Sequence, residues 1–366
     1  MFRHLRQFEA MTPLEVSEQL REQAAERRRR ELARVERLDL SATTWPELPP
    51  PAVVNAITFA ARVGLHRYAD RHAVALRSEL AHRHALPREQ VVVGAGAAQL
   101  LSAAAAALLE PGDELVTPWP SYGLYPVMAR RARGRAVPVA GFGVEAVLRA
   151  VNPRTRLVAL CNPNDPTGEL VAVHELRALL AALPERVVLL LDEALRDFVG
   201  AEAPDATLAL LEEHPRLLVF RTFSKAWGLA GLRTGYALGG RGAAPLLERL
   251  EPELGIDELA QAGILEALRA GGPVVARRVA RVREERMRLA GAVRELGLDA
   301  PRSEANFLWL AAPGRDGARL ADRLARAGVV VAPGGPLGDP ARVRVAIHGP
   351  RATDRLLGAL ERALAG

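Results

Sequence analysis

The chain has 366 residues, of which 49% are hydrophobic and 25% are charged, a composition typical of a globular protein with a sizeable core. The net charge is +6, but the arginines are spread among glutamates along the whole chain, so the charge does not by itself indicate a nucleic-acid partner. The apolar runs are short and interrupted, which predicts no membrane span, and the single cysteine, Cys161, excludes an intramolecular disulfide and fits a reducing cytoplasm.

The N-terminal part of the chain differs in composition from the rest. Residues 1–40 are rich in arginine and glutamate and predict one polar helix. The proline-rich stretch 45–51 predicts an extended arm. We therefore expect residues 1–50 to form a helix and an arm that precede the main domains.

Short apolar runs alternate with helical patterns over the next 200 residues. This alternation predicts a mainly parallel sheet covered by helices on both faces. The seven predicted strands are 91–93, 114–117, 135–139, 157–161, 187–191, 217–221 and 234–238. The helices predicted between them are 97–109, 122–131, 173–182 and 207–213.

The pattern changes after about residue 240. Two long helical stretches, 244–269 and 274–296, are broken at a Gly-Gly-Pro sequence. They lead into predicted strands at 307–310, 329–331 and 343–347 and a last helix at 352–365. The expected fold is α/β, with a seven-stranded sheet in a large domain, 51–245, and a smaller α+β C-terminal domain, 246–366.

Lys225 is the only lysine in the chain, since every other Lys or Arg position is arginine. Arginine can replace lysine as a surface charge, but a guanidinium does not lose its proton and cannot form a Schiff base. The surroundings of Lys225 argue against its being an ordinary surface residue that survived by chance.

The ends of the predicted strands carry the other candidate groups. In an open parallel sheet, ligands bind outside the carboxyl ends of the strands. The first strand is followed by Gly94-Ala95-Gly96 and a helix that starts at Ala97 and Ala98, whose free backbone amides suit a phosphate. A tightly packed strand–helix pair would explain the same glycines equally well.

Two further strand ends carry charged and hydroxyl side chains. Asp192 ends an apolar strand, and a buried carboxylate needs a partner such as a protonated pyridine nitrogen. Near Lys225, the hydroxyls of Thr222 and Ser224 and the guanidinium of Arg233 could clamp a phosphate, and their positive field would lower the pKa of the amine.

In this order, the motifs resemble those of the class I/II aminotransferases, which are fold type I enzymes dependent on pyridoxal phosphate (PLP). The specific motifs are Asn-Pro-Asn-Asp-Pro-Thr-Gly at 162–168, Ser-Lys at 224–225 and Gly-Leu-Arg-Thr-Gly at 231–235. The chain looks closest to the histidinol-phosphate aminotransferase branch, from about residue 40 to the C-terminus. The resemblance implies a PLP enzyme that transfers an amino group between an α-amino acid and a 2-oxo acid.

The resemblance also implies roles around the cofactor ring. Lys225 would hold PLP as a Schiff base and then move a proton between the substrate and the cofactor. Asp192 would pair with the pyridine nitrogen, and Tyr122 would stack on the ring. The groups implied at the phosphate are Ala97, Ala98, Thr222, Ser224 and Arg233.

Further implied contacts involve the substrate and a second subunit. Arg344 would bind the substrate α-carboxylate as a bidentate partner, and Asn306 would mark the start of the small-domain sheet. Tyr68 would reach the cofactor phosphate of the neighbouring subunit, which implies a homodimer.

The chain departs from the family pattern at one cofactor atom. The family usually has Asn and Tyr as donors to the phenolic O3′ of PLP, where this chain has Asp165 and Leu195. Neither an ionised Asp nor a Leu can donate a hydrogen bond. Unless Asn162 or Asn164 turns in, or a neighbouring side chain or water compensates, we expect a Schiff base that stays protonated to higher pH. Asn164 is also a candidate substrate contact.

Other departures concern the substrate. Histidinol-phosphate aminotransferases usually have an arginine for the substrate phosphate at the place of Ala332, so histidinol phosphate is not the expected substrate. Trp45 stands in the arm in place of the usual Asn-Glu-Asn-Pro run, where it could line the substrate pocket or pack the arm.

Three alternative functions remain open at this point. Another PLP reaction, namely decarboxylation, oxidation or elimination and replacement, could use the same residues. A DNA-binding regulator built on this fold would carry a helix-turn-helix module, whereas residues 1–40 predict a single helix. A nucleotide-dependent oxidoreductase, suggested by Gly94 and Gly96, would leave Lys225 and Arg233 without a role.

Overall fold

The computed structural model describes residues 37–365 together with Glu18, Arg21 and Glu22. Most of the helix expected over residues 1–40 lies outside the described residues, although the three isolated positions are helical. The expectation is wrong at its end, because Leu38–Asp39 form a short strand, β1. The backbone there pairs in parallel with residues 329–330, and this pairing holds it extended.

The central sheet has seven strands in the order β2-β8-β7-β6-β5-β3-β4. β8 alone runs opposite to the other six strands, so the prediction of a mainly parallel seven-stranded sheet is confirmed. The strands are β2 (Val91–Gly94), β3 (Glu114–Trp119), β4 (Arg135–Ala140), β5 (Thr155–Cys161), β6 (Val188–Asp192), β7 (Leu217–Thr222) and β8 (Gly235–Gly239).

Helices cover both faces of this sheet. They are α1 (Pro51–Gly64), α2 (Val74–Arg83), α3 (Ala97–Leu108), α4 (Leu124–Arg131), α5 (Val144–Ala150) and α6 (Val173–Ala182). The predictions of α3, α4 and α6 are confirmed, whereas α1, α2 and α5 were not predicted. The helix predicted at 207–213 is instead a 3-10 turn, Ala206–Leu210, in which the Thr207 side chain donates to Glu193 of the sheet.

The C-terminal part contains α7 (Ala244–Glu248), α8 (Glu258–Ala270), α9 (Gly272–Glu295), β9 (Phe307–Ala311), α10 (Gly317–Arg326), β10 (Val329–Val330), β11 (Ala332–Pro333), β12 (Arg342–Ala346) and α11 (Pro350–Ala365). The single helix expected at 244–269 is two helices. The chain turns between them at Gly255, whose φ is +67° and where a Cβ would lie 2.3 Å from the Arg71 carbonyl oxygen.

One small sheet fastens residues 37–50, called the arm below, to the C-terminal part, because β1 pairs in parallel with β10. Strands β11, β12 and β9 form a separate antiparallel sheet. Leu40 and Trp45 of the arm belong to the same apolar cluster as Phe307 and Leu356. Two other apolar clusters lie on the two faces of the large sheet. No described helix is both long and apolar enough to cross a bilayer.

Candidate active site

A cavity of about 730 Å³, part of it open to solvent, lies at the carboxyl ends of the central strands. This is where parallel α/β sheets bind ligands. Its lining comes from at least five separate segments of the chain. The lining residues are Thr44, Ala97, Ala98, Tyr122, Cys161, Asp165, Asp192, Ala194, Leu195, Thr222, Ser224, Lys225, Ala230 and Arg233.

Lys225 follows the end of β7 and points its amine into this cavity. Its Nζ donates a hydrogen bond of 2.5 Å to Oγ1 of Thr43, a buried residue of the arm. Burial lowers the pKa of the Lys225 amine, while the nearby Asp165 carboxylate opposes this shift. Thr43 was not among the predicted site residues, because no local pattern marks a contact between positions 182 apart.

Asp192 ends β6 and is 3% exposed. Its Oδ2 accepts from the Tyr125 hydroxyl (3.1 Å), and its Oδ1 accepts from the Ala194 amide (3.1 Å). Burial raises the pKa of this carboxyl to about 6, although both hydrogen bonds lower it. Tyr125 was also missed, although it lies one helical turn after Tyr122 and makes an edge-to-face contact with it at 5.7 Å.

An anion cradle lies at the start of α3. Gly96 caps this helix without a side-chain hydrogen bond, so the first amides, at Ala97 and Ala98, have no partner from a cap or from within the helix. The Arg233 guanidinium approaches the start of this helix so closely that a Cβ on Gly96 would lie 3.0 Å from its Nη2. A Cβ on Gly235 would lie 2.3 Å from the Ala97 nitrogen. Glycine is therefore required at both places for these donors to converge.

Two hydroxyls complete the cradle. The Thr222 and Ser224 side chains lie 3.0 Å apart and are both nearly buried. Amides, hydroxyls and a guanidinium form the donor set that a phosphate dianion requires. One cavity is thus lined by a cradle for a phosphate, a buried carboxyl for a ring nitrogen and an amine for an aldehyde. The residues present therefore fit PLP.

Arg344 of β12 reaches this site from the C-terminal part. Its Nη1 donates to Oδ1 of Asp165 at 2.5 Å, and its Nη2 donates to the Ser41 carbonyl at 3.1 Å. Asp165 lines the cavity, so the structure brings Arg344 to its edge. Leu195 lines the cavity as well and offers no hydrogen bond.

The two asparagines beside Asp165 do not face the cavity. Asn162 exchanges two hydrogen bonds with the backbone of Val171. Asn164 donates to the Pro120 carbonyl and to Thr167 and accepts from Ser121, and it is fully buried. Both amides are used to hold the loop, so neither supplies the missing donor, and the structure does not bring Asn164 to the substrate space.

Two predicted site residues lie away from the cavity of their own chain. Trp45 packs under the guanidinium of Arg278 (5.2 Å from the ring centroid), and its indole nitrogen donates to Glu47. This supports the interpretation that Trp45 packs the arm. Tyr68 is fully exposed on the surface, a position that does not reach its own cavity.

Comparisons with known proteins agree with this geometry. The family model described as aminotransferase class I and II matches residues 35–360. An aromatic amino acid aminotransferase of Corynebacterium efficiens is 38% identical over 88% of this chain and 92% of its own length. A histidinol-phosphate aminotransferase of Rubrobacter xylanophilus is 37% identical over 97% of this chain and 98% of its own. The crystal structure of Sinorhizobium meliloti histidinol-phosphate aminotransferase with pyridoxal-5′-phosphate superimposes with a TM-score of 0.81 at 27% identity, covering 93% of this chain and 94% of that one.

Replacing Asp192 with Asn should change the pH dependence of stability of the cofactor-free protein. The folded pKa of about 6 lies above the usual 3.8, so the wild type loses stability as pH rises through 6. The stability gain of the Asp192→Asn variant over wild type should therefore be about 2 kcal/mol larger at pH 8 than at pH 4.5, where the wild-type carboxyl is still mostly protonated in the folded state. Denaturant unfolding at both pH values measures this, with the exposed Asp322→Asn as control. A gain of equal size at both pH values would contradict it.

Replacing Thr43 with Val should lower the pKa of the Lys225 amine further in the cofactor-free protein, because the ammonium loses its hydrogen-bond acceptor. Since the chain has one lysine, labelling with ε-¹³C-lysine gives a single side-chain signal whose titration reports this pKa directly. Thr43→Ser keeps the acceptor and should titrate like the wild type. Identical titration of the Val variant and the wild type would show that the contact is not formed in solution.

Proposed function

This chain belongs to the class I and II aminotransferases and depends on pyridoxal phosphate, and we propose that its amino donor is an aromatic α-amino acid and its acceptor a 2-oxo acid. The observation that carries the proposal is the placement of Arg344 at the cavity edge, where a guanidinium suits an α-carboxylate. The names of several relatives, aromatic amino acid aminotransferases, support the choice of side chain.

A phosphorylated substrate is less well supported. Ala332 pairs with Arg344 across β11 and β12, so the two side chains share one face of that small sheet. An alanine there offers no charge to a second phosphate. We therefore do not propose histidinol phosphate, although relatives named for that substrate are similarly close.

When bound, PLP supplies an aldehyde that links to amines and a ring that accepts electrons from the broken Cα–H bond. Lys225 would hold the cofactor and, once released, carry the proton to and from the substrate Cα. The pKa of its amine is lowered by burial, so more of it is free to accept a proton at neutral pH. Asp192 would hold a positive charge on the ring nitrogen, and Tyr122 would orient the ring by stacking.

The cradle would fix the cofactor phosphate. Backbone amides of Ala97 and Ala98 would donate at the helix start, together with Thr222, Ser224 and Arg233. The phosphate would then supply the partners that the amides at the helix end otherwise lack. The cofactor would be oriented by these contacts at one end and by Asp192 at the other.

We also propose a homodimer in which Tyr68 reaches the partner's cofactor phosphate. Tyr68 lies in a segment with several exposed apolar side chains, among them Phe59 (67% exposed) and Leu65 (74% exposed). Exposed apolar residues grouped in this way mark an interaction surface. The division into residues 1–50, 51–245 and 246–366 and a cytoplasmic location, which the single cysteine favours, remain part of the proposal.

The test of the function is the absorption spectrum of the PLP-loaded protein before and after addition of aromatic amino acids, histidinol phosphate and other donors. Aromatic amino acids should convert the cofactor to its amine form, and 2-oxo acids should reverse the change. Lys225→Arg keeps the charge but should lose at least about 10³-fold in turnover, because it removes the proton carrier. Conversion by histidinol phosphate in preference to aromatic amino acids would contradict the proposed substrate.

Mixing two impaired variants tests the shared site. Dimers of a Lys225→Ala chain with a Tyr68→Ala chain hold one site with both residues intact and one with neither. Mixed dimers should therefore regain activity up to about half that of the wild type per dimer, whereas each parent dimer stays impaired. Lys225→Ala dimers that are dissociated and reassembled in the same way, without the second variant, serve as the control. Mixed dimers no more active than the sum of the parents would place Tyr68 outside the partner's site.

A further inference from the structure

The substrate-binding arginine already has a carboxylate partner within the chain. Arg344 Nη1 donates to Asp165 Oδ1 at 2.5 Å, and the two side chains are only 13% and 15% exposed. The pair joins the loop after β5 to the C-terminal strand β12, across 179 positions of sequence. A negative charge thus stands where an incoming α-carboxylate would bind.

The other donors of Arg344 cannot replace this contact. Its Nη2 donates to the Ser41 carbonyl at 3.1 Å. Its Nε is enclosed and finds no hydrogen-bond partner among the described residues. The ring of Phe307 lies against the guanidinium, 5.5 Å from Cζ to the ring centroid. A ligand carboxylate that takes two parallel hydrogen bonds must therefore share Nη1 with Asp165 or displace it.

Sharing brings two like charges onto one guanidinium. In a partly buried site, a repulsion of this kind changes binding by about 10- to 100-fold. Displacement costs a similar amount, because Asp165 loses its only ion pair within the described part of the chain. Both routes weaken the binding of a carboxylate. A neutral ligand of the same shape is spared, because it adds no second negative charge and can share the guanidinium without displacing Asp165.

We propose that Asp165 is a built-in competitor for the carboxylate subsite of Arg344 and so a determinant of specificity in this enzyme. It makes the site only weakly selective for α-carboxylates over neutral groups of similar size. This inference rests on the proposed role of Arg344 as the group that binds the α-carboxylate. It adds a role for Asp165, a residue that has none in the proposed function.

Binding of two non-reacting ligands to the PLP-loaded protein tests the inference. The probes are 3-phenylpropionate and its neutral counterpart 3-phenylpropanamide, which lack the amine and cannot turn over, and calorimetry measures their dissociation constants. Asp165→Asn should lower the dissociation constant of 3-phenylpropionate about 10-fold or more and change that of 3-phenylpropanamide by no more than about twofold. The matched control is Asp299→Asn, which removes the same charge from an ion pair with Arg342 on the same strand, at 57% exposure. It should change neither constant.

A double-mutant cycle locates the effect. If Asp165 acts through Arg344, the gain should disappear in Asp165→Asn combined with Arg344→Gln. Asp165→Ala should act in the same direction and serves if the Asn variant does not fold. Unchanged 3-phenylpropionate binding, or equal tightening of both probes, overturns the inference.

A failure of the role inferred for Asp165 and a failure of the proposed substrate give different results. If the wild type transaminates aromatic amino acids while Asp165→Asn leaves carboxylate binding unchanged, only the role of Asp165 fails. If the wild type transaminates no aromatic amino acid but the selective tightening is observed, the competitor role stands and the proposed substrate fails.

Discussion

A buried ion pair between Glu193 and Arg221 sets the position of the groups in the cavity. Arg221 donates through Nε and Nη2 to Oε2 of Glu193, at 2.9 and 2.8 Å, and the Thr207 hydroxyl donates to the other oxygen at 2.6 Å. Breaking a buried pair of this kind is costly, because among the described residues Glu193 would keep only Arg196 at 3.7 Å as a charged partner and Arg221 only the half-exposed Asp205. Glu193 directly follows Asp192, and Arg221 precedes the Thr222–Lys225 turn, so the pair fixes the ends of β6 and β7 to each other. The spacing of the carboxyl and the amine across the cavity depends on it.

The arm couples the C-terminal part of the chain to Lys225. The Ala346 amide donates to the Leu40 carbonyl, and Asn306 Nδ2 donates to the Thr43 carbonyl at 3.0 Å. The hydroxyl of the same threonine accepts from Lys225. A displacement of the small antiparallel sheet would therefore be transmitted through one short segment to the amine. The arm is in this sense a part of the active site, through Thr43 and not through Trp45, the residue that the sequence had indicated.

The sequence allowed the central sheet and the strand-end groups to be predicted because their signals are local. Apolar β-branched runs indicate the strands, and Asp192, Ala97 and Lys225 each follow a strand end within a few residues. Contacts between distant segments, such as Asp165 with Arg344, depend on the packing of two parts of the chain and leave no local pattern. Helix α1 was missed for a related reason, since its β-branched residues have low helix propensity and its packing against α8, where Ile57 abuts Gly263, supports it.

The near-absence of lysine affects how the molecule responds to alkali. Guanidinium groups keep their protons throughout the range in which amines, phenols and thiols lose theirs. This chain has one lysine, four tyrosines and one cysteine, and all of these groups except Tyr68 lie in the interior or line the cavity. Between about pH 8 and 11 the outer charge pattern is thus nearly constant, and the protein has little buffering capacity at its surface. Burial raises the pKa of the Cys161 thiol and of the Tyr122, Tyr125 and Tyr236 phenols, whereas it lowers the pKa of the Lys225 amine. Alkaline titration of the interior in this range consequently reports on a single amine in the cavity.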